Sequence, residues 1–347
     1  MRVLLVKMSS LGDVIHALPA VSDAAAHGIR FDWVVEEAFS EIPARHAAVD
    51  RVLPIAWRRW RRNLRRDRQA LGTFVSELRE RRYDLILDAQ GLFKSAAVTA
   101  LARGRRRAGF SRSSAREGGA SMFYDQPLAV PREQHAVVRL RQLFAAALGY
   151  PTPVDGSPLD YGIAPARGPG PPNDRCALLH GTTWHSKHWP LRFWKDLGRR
   201  VRGEGFTLAL PAGNESELTR ALDIGGPEAT VWNRIPLGQL MDALAGCRLA
   251  IGVDSGLSHL AAALALPTLV LYGSTSSRLT GCRGPRVRNL QAEFPCAPCL
   301  NRVCNYRGAP VLLGDNAVEP PCFSNLPPDR VWREAQELID ADRLLHL

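Results

Sequence analysis

Short apolar runs alternate with amphipathic stretches along the first half of the chain. The apolar runs predict four strands, at residues 2–6, 31–35, 51–55 and 84–88. Apolar residues spaced three and four apart predict helices after most of these strands, at residues 12–27, 67–82, 91–103 and 134–148. Because a strand that is covered on both faces is apolar throughout, this alternation is typical of parallel βαβ units.

The same alternation resumes after a stretch rich in proline and glycine, residues 165–174, which predicts a linker. Beyond it, the pattern predicts strands at residues 176–180, 206–210, 248–253 and 268–272. It also predicts helices at residues 191–203, 214–224, 236–246 and 256–265. A loop-rich segment, 273–326, precedes a last amphipathic helix near 328–345.

The two halves predict an α/β fold with two Rossmann-like domains that face a central cleft. Their expected bounds are 1–165 and 175–326, and a last segment, 327–347, is expected to pack back towards the first domain. Ligands of open parallel sheets bind beyond the carboxyl ends of the strands. Candidate functional residues are therefore expected at these strand ends.

Composition narrows the class of protein. The chain has 347 residues, 46% of them hydrophobic and 23% charged. No apolar run reaches the roughly 18 residues that span a bilayer. The short apolar start opens directly into a patterned motif, so we expect a cytoplasmic protein without a signal peptide. The net charge of +11 implies anionic partners, such as a nucleotide, a phosphorylated lipid or nucleic acid.

The first candidate motif, residues 7–16, lies between the first strand and the first helix. Ser9, Ser10 and Gly12 offer backbone amides at a helix N-terminus, which favours an anion. Asp13 has two interpretations. It is either a first-turn acid that stabilises the helix, or a carboxylate at the mouth of the cleft that takes a proton from an attacking hydroxyl.

The second candidate motif, residues 180–190, follows the first strand of the second half. Its Thr182, Thr183 and Lys187 come after a glycine, and two hydroxyls with an ammonium are suited to a diphosphate. The alternative is an ordinary polar loop between a strand and a helix. Its histidines lack the spacing of a helical metal site.

The third candidate motif, residues 252–262, joins another strand to an alanine-rich helix. The amides at 255–257 would point along the helix dipole and favour phosphate, and Asp254 and His259 would bind or orient polar groups. The alternative is a capped helix with a histidine satisfied in the core.

A basic stretch, residues 57–66, interleaves arginine with two tryptophans. Charge runs are usually a solvated helical face. The tryptophans favour a contact surface for anions at a membrane interface, and nucleic acid would also suit this stretch taken alone.

Four cysteines cluster late in the chain, at Cys296, Cys299, Cys304 and Cys322. Four thiols can hold a structural zinc ion. The spacing is irregular, and the alternative is four reduced thiols in a loop.

These motifs together resemble glycosyltransferase family 9. The segments that carry the resemblance are KMSSLGDVIHALPA, FDWVVEEAF, DAQGLFKSA, TTWHSKHWP and GVDSGLSHLAAAL, in the family's order over nearly the whole chain. The segments RRWRR (58–62), SAREGGASMFY (114–124) and QHAVVR (134–139) are similar to its heptosyltransferase I branch. The CAPC segment is similar to heptosyltransferase II-like members, which add the next heptose onto heptose.

The resemblance implies a GT-B fold, with the acceptor on the first domain and the nucleotide sugar on the second. It implies inverting transfer of L-glycero-D-manno-heptose from ADP-heptose to the Kdo of Kdo-lipid A, with no cofactor or catalytic metal. It also implies a peripheral position on the inner leaflet of the cytoplasmic membrane and no nucleic acid partner. Two alternatives from other classes are a basic nucleic-acid-binding protein and a dinucleotide-dependent oxidoreductase, which the missing glycine-rich fingerprint disfavours.

The resemblance also implies the site residues. Asp13 matches the family's catalytic base. The implied donor-binding residues are Thr182, Thr183, Lys187, Glu217, Asp254, Ser255, Gly256, Leu257 and His259. The implied acceptor-binding residues are Ser10, Gly12, Arg58, Arg59, Arg61, Arg62, Gln90, Lys94 and Arg116. Relatives usually have threonine at the position of Ser255, and Glu215 is a second match for the glutamate that contacts the ribose.

Overall fold

The computed structural model describes residues 1–62, 66–163 and 173–344. The chain divides into two compact units, Met1–Ala164 and Pro165–Leu347. Most of the predicted linker and residues 63–65 of the basic stretch lie outside the described residues. Each unit contains one six-stranded parallel sheet with helices packed on it.

The first unit is built on six strands whose bounds are β1 (Arg2–Val6), β2 (Arg30–Glu36), β3 (Val49–Ile55), β4 (Leu85–Asp88), β5 (Arg107–Phe110) and β6 (Gln126–Leu128). Their order in the sheet is β3-β2-β1-β4-β5-β6, and every pairing is parallel. The central strands β1 and β4 are buried almost from end to end, which is why their sequences are continuously apolar.

The longer helices of this unit are α1 (Leu11–Ala25), α2 (Arg68–Glu80), α3 (Phe93–Leu101) and α4 (Ala136–Leu148). Its short helical turns are Glu37–Phe39, Glu41–Ala44, Trp57–Trp60 and Gly118–Phe123. Helix α1 packs against α4, and Arg141 donates two hydrogen bonds to Asp23 across that contact, at 2.6 and 2.9 Å. This bidentate ion pair fixes the helix that begins at the first candidate motif.

The second unit repeats the topology of the first. Its strands are β7 (Arg175–Leu179), β8 (Thr207–Ala212), β9 (Thr230–Asn233), β10 (Leu249–Val253), β11 (Thr268–Tyr272) and β12 (Val287–Gln291). Their order is β9-β8-β7-β10-β11-β12, again all parallel. Its longer helices are α5 (Leu191–Gly203), α6 (Glu215–Gly225), α7 (Leu237–Ala245), α8 (Gly256–Ala263) and α9 (Pro328–Leu344). The predicted α/β class with two Rossmann-like sheets is confirmed.

Of the strands in the two six-stranded sheets, the sequence pattern missed β5, β6, β9 and β12. They are three to five residues long, and three of them lie at sheet edges, where one side has no neighbouring strand and polar residues are tolerated. The segment 273–326, which was predicted to be loop-rich, contains β12, which pairs with β11.

Helix α9 packs its apolar face into the core of the second unit. Val331, Trp332 and Ala335 lie in the same cluster as residues of α5 and β11, and α9 contacts both elements. Arg288 of β12 donates to Glu334 at 2.7 Å. The expectation that this segment packs towards the first domain stays a prediction.

Within the described ranges, every helix is too short or too polar to span a bilayer.

Candidate active site

Asp13 lies in the first turn of α1, just beyond the carboxyl end of β1. Ser10 precedes the helix, and its backbone N–H and its hydroxyl both donate to Oδ2 of Asp13 at 2.8 Å. Lys7 Nζ lies 3.5 Å from the other oxygen, Oδ1. Burial alone opposes ionisation, but Lys7 and the Ser10 hydrogen bonds outweigh it and lower the pKa of Asp13 to about 2. The carboxylate therefore stabilises the helix start and, with 36% of the side chain exposed, remains open to a ligand.

The loop after β4 supports this helix start from the side. Gln90 Oε1 accepts from the backbone N–H groups of Met8 and Ser9, at 3.0 and 3.1 Å. Lys94 Nζ donates to Ser9 Oγ at 2.9 Å. The structure thus brings Gln90 and Lys94, which are far from residues 7–13 in sequence, to the same edge of the sheet.

Asp88, which sequence reasoning did not single out, fixes that loop. Its Oδ1 accepts from the backbone N–H groups of Gln90 and Gly91 at 2.8 and 3.0 Å, and its Oδ2 accepts from the Tyr124 hydroxyl at 2.8 Å. Gly91 has a φ of 68°, which favours glycine at this turn. Burial raises the pKa of the Asp88 carboxyl. Its sequence signals were its place at a strand end and at the start of the DAQGLFKSA segment.

The turn Trp57–Trp60 carries Arg58, whose charge acts on Lys94. The backbone N–H of Arg58 donates to Glu36 Oε1 at 3.1 Å. Burial lowers the pKa of Lys94; Glu36 opposes this shift, and the positive charges of Arg58 and Arg61 add to it. The site is therefore a region of positive potential around one open carboxylate.

The other predicted acceptor residues are more dispersed. Arg59 pairs with Glu37 at 3.3 Å on the surface, and the side chains of Arg62 and Arg116 are exposed. The interpretation of the tryptophans as a membrane contact is wrong for Trp60. That ring is buried against Phe74, with 5.6 Å between the ring centroids, because it fills the core beneath the turn.

In the second unit, Lys187 and Asp254 form a close ion pair at the carboxyl edge of the sheet. Lys187 Nζ lies 2.7 Å from Asp254 Oδ2, and the Thr275 hydroxyl donates to the same oxygen at 2.6 Å. The Thr182 hydroxyl donates to the backbone carbonyl of Asp254 at 3.2 Å. The second and third sequence motifs therefore meet in space, whereas the Thr183 side chain is exposed.

His259 lies beneath this ion pair. Its Nε2 is 3.8 Å from Asp254 Oδ1, and its Nδ1 is 3.3 Å from the Cys282 sulfur. Burial alone would lower the pKa of His259, but the Cys282 sulfur and the Asp254 carboxylate outweigh burial and raise it. The same cations and hydrogen bonds hold the pKa of Asp254 well below its usual range, against the effect of burial. The group combines one buried anion with two cations.

Helix α8 begins directly after Asp254. Ser255 caps it, and its hydroxyl accepts from the Ser258 N–H at 3.4 Å. The first-turn N–H groups of an α-helix have no partner within the helix, so those of Gly256 and Leu257 face the strand end. The predicted cap is present, and it does not exclude anion binding.

Of the two candidate glutamates, only Glu217 lies against the loop that carries Thr182. A Cβ placed on Gly181 would be 3.2 Å from Glu217 Cδ, and Glu217 Oε2 accepts from the Gly213 N–H at 2.8 Å. Glu215 instead pairs with Arg234 at the surface. Geometry therefore favours Glu217 as the glutamate of this site.

Sequence reasoning left other side chains of this region unassigned. His180 and His188 have their pKa values lowered to about 4, first by burial and then by the positive charge of Arg220. Two cations contact the Trp184 ring: Lys187 Nζ lies 4.5 Å from the ring centroid, and the Arg302 guanidinium lies 5.5 Å from it. His180 and His188 are thus neutral near pH 7, and the positive charge around Trp184 comes from Lys187 and Arg302.

Of the two alternatives for the four clustered cysteines, a zinc site or reduced thiols, the described residues do not show the geometry of a zinc site. Cys296 is exposed, while Cys322 is buried and packs into the core of the second unit. The described residues contain no group of three histidine, cysteine or acidic side chains placed to hold a metal ion. The regular ligand spacing that zinc requires was already missing from the sequence.

Comparison with known proteins shows the family to which the chain belongs. Residues 71–309 match the model of Glycosyltransferase family 9 (heptosyltransferase). The chain is 46% identical over 358 residues to the lipopolysaccharide heptosyltransferase 1 of Pseudomonas aeruginosa, covering 99% of this chain and 100% of the relative. It is also similar to the structure of the E. coli heptosyltransferase WaaC with ADP-2-deoxy-2-fluoro heptose, with a TM-score of 0.79 and 36% identity over 97% of this chain and 99% of that one.

The fold of the chain and its similarity to solved structures place it in the class of GT-B glycosyltransferases. The chain belongs to glycosyltransferase family 9, the heptosyltransferases. This membership sets aside the oxidoreductase and nucleic-acid-binding classes. The lipopolysaccharide heptosyltransferase 2 of Escherichia coli is 33% identical over 107 residues, which is 27% of this chain. The similarity is therefore much more extensive to heptosyltransferase 1.

Proposed function

We propose that this chain transfers L-glycero-D-manno-heptose from ADP-heptose to the Kdo of Kdo-lipid A, with inversion at the anomeric carbon. The observation that carries the donor assignment is the cluster of Lys187, Asp254 and Thr182 at one strand edge. The relative from Pseudomonas aeruginosa is a lipopolysaccharide heptosyltransferase 1, and the WaaC structure holds an ADP-heptose analogue. Both support the same donor and the same product class for this chain.

In this proposal the second unit stabilises the leaving diphosphate. As the glycosidic bond to ADP breaks, negative charge grows on the diphosphate, and donors aimed at it stabilise the transition state more than the ground state. Lys187 supplies an ammonium, Thr182 and Thr183 supply hydroxyls, and the first turn of α8 supplies amides. Glu217 accepts hydrogen bonds from the ribose. Because this chain supplies the positive charge itself, the proposed reaction needs no added cofactor.

In the first unit, Asp13 acts as the general base. The Kdo hydroxyl attacks the anomeric carbon from the face opposite ADP and gives its proton to the Asp13 carboxylate. A pKa of about 2 keeps that carboxylate ionised but makes it a weak base in the free protein. Acceptor carboxylates that pair with Lys7 and Lys94, together with the exclusion of water, raise its basicity during the reaction.

The acceptor is held by the positive region around Asp13. Kdo-lipid A carries carboxylates and phosphates, and arginine forms bidentate hydrogen bonds with both groups. The residues that we assign to acceptor binding are Ser10, Gly12, Gln90, Lys94, Arg58, Arg59, Arg61, Arg62 and Arg116. A lipid acceptor also supports a cytoplasmic protein that binds peripherally to the inner leaflet of the cytoplasmic membrane.

The experiment that tests this function is ADP release from ADP-heptose by the purified full chain. We expect release that depends on Kdo-lipid A. Release with only a heptosylated acceptor would assign the chain to heptosyltransferase II activity instead. If folded protein released no ADP with either acceptor, the proposal would be overturned.

A further inference from the structure

An exposed apolar surface lies beside the acceptor residues of the first unit. Phe93, at the start of α3, is 51% exposed, Met122 is 79% exposed and Phe123 is 40% exposed. Single exposed apolar side chains are ordinary in proteins, but contiguous ones mark contact surfaces. What matters is therefore whether these three side chains form one surface.

The short helix Gly118–Phe123 brings them together. Gly119 lies directly under the Phe93 ring, because a Cβ placed on Gly119 would be 2.5 Å from Phe93 Cζ. In a 3₁₀ helix, residues three apart lie on the same face, so Met122 follows Gly119 along the face that meets Phe93. Phe123, the next residue, is also exposed, and we call Phe93, Met122 and Phe123 together the apolar face.

The apolar face is held in place by its buried side. Ala120 and Tyr124 pack with Ala96 of α3 in a buried cluster. Glu117 Oε2 accepts from the Phe93 N–H at 2.6 Å. The segment is therefore anchored by Ala120 and Tyr124 and presents Met122 and Phe123 to solvent. A fixed backbone with outward apolar side chains is typical of a surface that is covered during function.

Positive charge borders the apolar face on the same segment. The Arg112 side chain lies against Gly118, with Cγ 3.2 Å from the position of a Cβ on that glycine, and Arg116 is exposed just before Glu117. Lys94, which follows Phe93, reaches the Ser9 hydroxyl of the acceptor site at 2.9 Å. Apolar side chains edged by arginine match a ligand with hydrocarbon next to anionic groups.

We propose that Phe93, Met122 and Phe123 contact the acyl chains of the lipid acceptor, while Arg112 and Arg116 face its phosphates. This inference rests on the proposed function and deepens it. It assigns recognition of the lipid part of the substrate to a surface separate from the residues that hold the sugar. The tryptophan of the basic stretch that is buried, Trp60, takes no part in this contact.

The test compares two acceptors, the acylated lipid and the fully deacylated, water-soluble saccharide with the same Kdo and phosphate groups. The variants are Met122→Gln and Phe93→Ser, and the control is Leu101→Ser. Leu101 lies at the other end of α3 and is 43% exposed, so it matches the change without belonging to the apolar face. Because all three side chains are largely outside the core, the variants should fold.

We expect each variant to lower kcat/KM for the acylated acceptor about tenfold, mainly through KM. The kcat/KM for the deacylated acceptor should stay within about twofold of the wild-type value. The control should change neither value. An unchanged rate on the acylated acceptor, or an equal loss on both acceptors, would overturn the inference. If the wild-type chain transferred heptose to neither acceptor, the proposed function itself would fail, and the two failures are therefore distinct.

Discussion

The two units place a lysine–aspartate pair at equivalent edges of the same sheet topology, but they expose opposite partners. In the first unit, Lys7 is 7% exposed and Asp13 is 36% exposed, with 3.5 Å between Nζ and Oδ1. In the second unit, Asp254 is 8% exposed and Lys187 is 16% exposed, with 2.7 Å between Nζ and Oδ2. The first pair offers a substrate an anion, and the second offers it a cation.

The same fold can therefore support two tasks, proton transfer in the first unit and stabilisation of a leaving diphosphate in the second. A proton acceptor must be an open carboxylate, and a group that stabilises a departing diphosphate must be an ammonium. The buried partner in each pair holds the open one in position and in its charged state. The comparison predicts that changing the open partner affects transfer more than changing another paired charge of the same unit.

The largest effect is expected for Asp13→Asn. The asparagine carbonyl can still accept the hydrogen bonds from Ser10, so the helix start and the melting temperature should change little. Without the base, kcat should fall about a hundred- to ten-thousandfold. The matched control is Asp50→Asn, whose carboxylate is 35% exposed and pairs with Arg30. Turnover close to wild type in Asp13→Asn would show that the carboxylate is only a helix cap.

A somewhat smaller loss is expected for Lys187→Met. Removing one preorganised donor to developing charge lowers kcat about a hundred- to a thousandfold. Lys195→Met is the control, because Lys195 pairs with Asp223 at the surface of the same unit and is 43% exposed. Steady-state ADP release measures both variants. Equal turnover in the two variants would remove the distinction between the pairs.

The effect of Lys7→Met should appear in the pH dependence. Lys7 is the main cause that lowers the pKa of Asp13 to about 2, so its removal raises that pKa. Because the base acts when ionised, the acidic limb of kcat/KM should move to higher pH. The stability from a lowered carboxyl pKa is present above the unfolded value of about 3.9 and is lost as pH falls through the folded value.

Profiles of kcat/KM between pH 4 and 8 test this shift. Wild type should show no acidic limb in this range, because the pKa of Asp13 is about 2, whereas Lys7→Met should lose activity towards the acidic end. The double variant that also carries Asp13→Asn should show no such limb. Equally flat profiles with and without Lys7 would contradict the proposed coupling of the pair.

The smallest effect is expected for the exposed arginines. Arg61→Gln and Arg62→Gln should each raise KM for the acceptor about two- to fivefold at low salt, because exposed charges contribute little and are screened. The difference should shrink as sodium chloride increases. Arg105→Gln, an exposed arginine outside the proposed site, is the control. A salt-independent effect would indicate a role other than charge attraction.

Much of the fold could be predicted because central strands such as β1 and β10 are buried on both faces and are therefore apolar throughout. Of the edge strands, β3 could be predicted, but β6 and β9 could not, since they are short and partly polar. Candidate site residues that lie within one strand-to-helix loop, such as residues 7–13, could be singled out because they form a local motif. The roles of those residues in binding and catalysis stay predictions.

Residues that join the site from distant loops were missed. Thr275 contacts Asp254, and Cys282 contacts His259, because β11 pairs with β10 in the sheet. No local sequence pattern indicates these contacts. Trp60 was assigned to the surface because an interleaved tryptophan looks the same in sequence whether it faces solvent or the core. Tertiary packing decides whether such a tryptophan is buried, and the composition of the stretch does not show it.

The central claim is that the open anion of one unit performs proton transfer while the open cation of the other acts on the donor. The most direct test is the affinity for ADP-heptose, measured by calorimetry, of Asp13→Asn and Lys187→Met. The account predicts wild-type affinity in Asp13→Asn and an affinity at least about tenfold weaker in Lys187→Met, since an ammonium on a diphosphate contributes a charge-assisted hydrogen bond. Equal weakening in both variants would contradict the division of tasks between the two units.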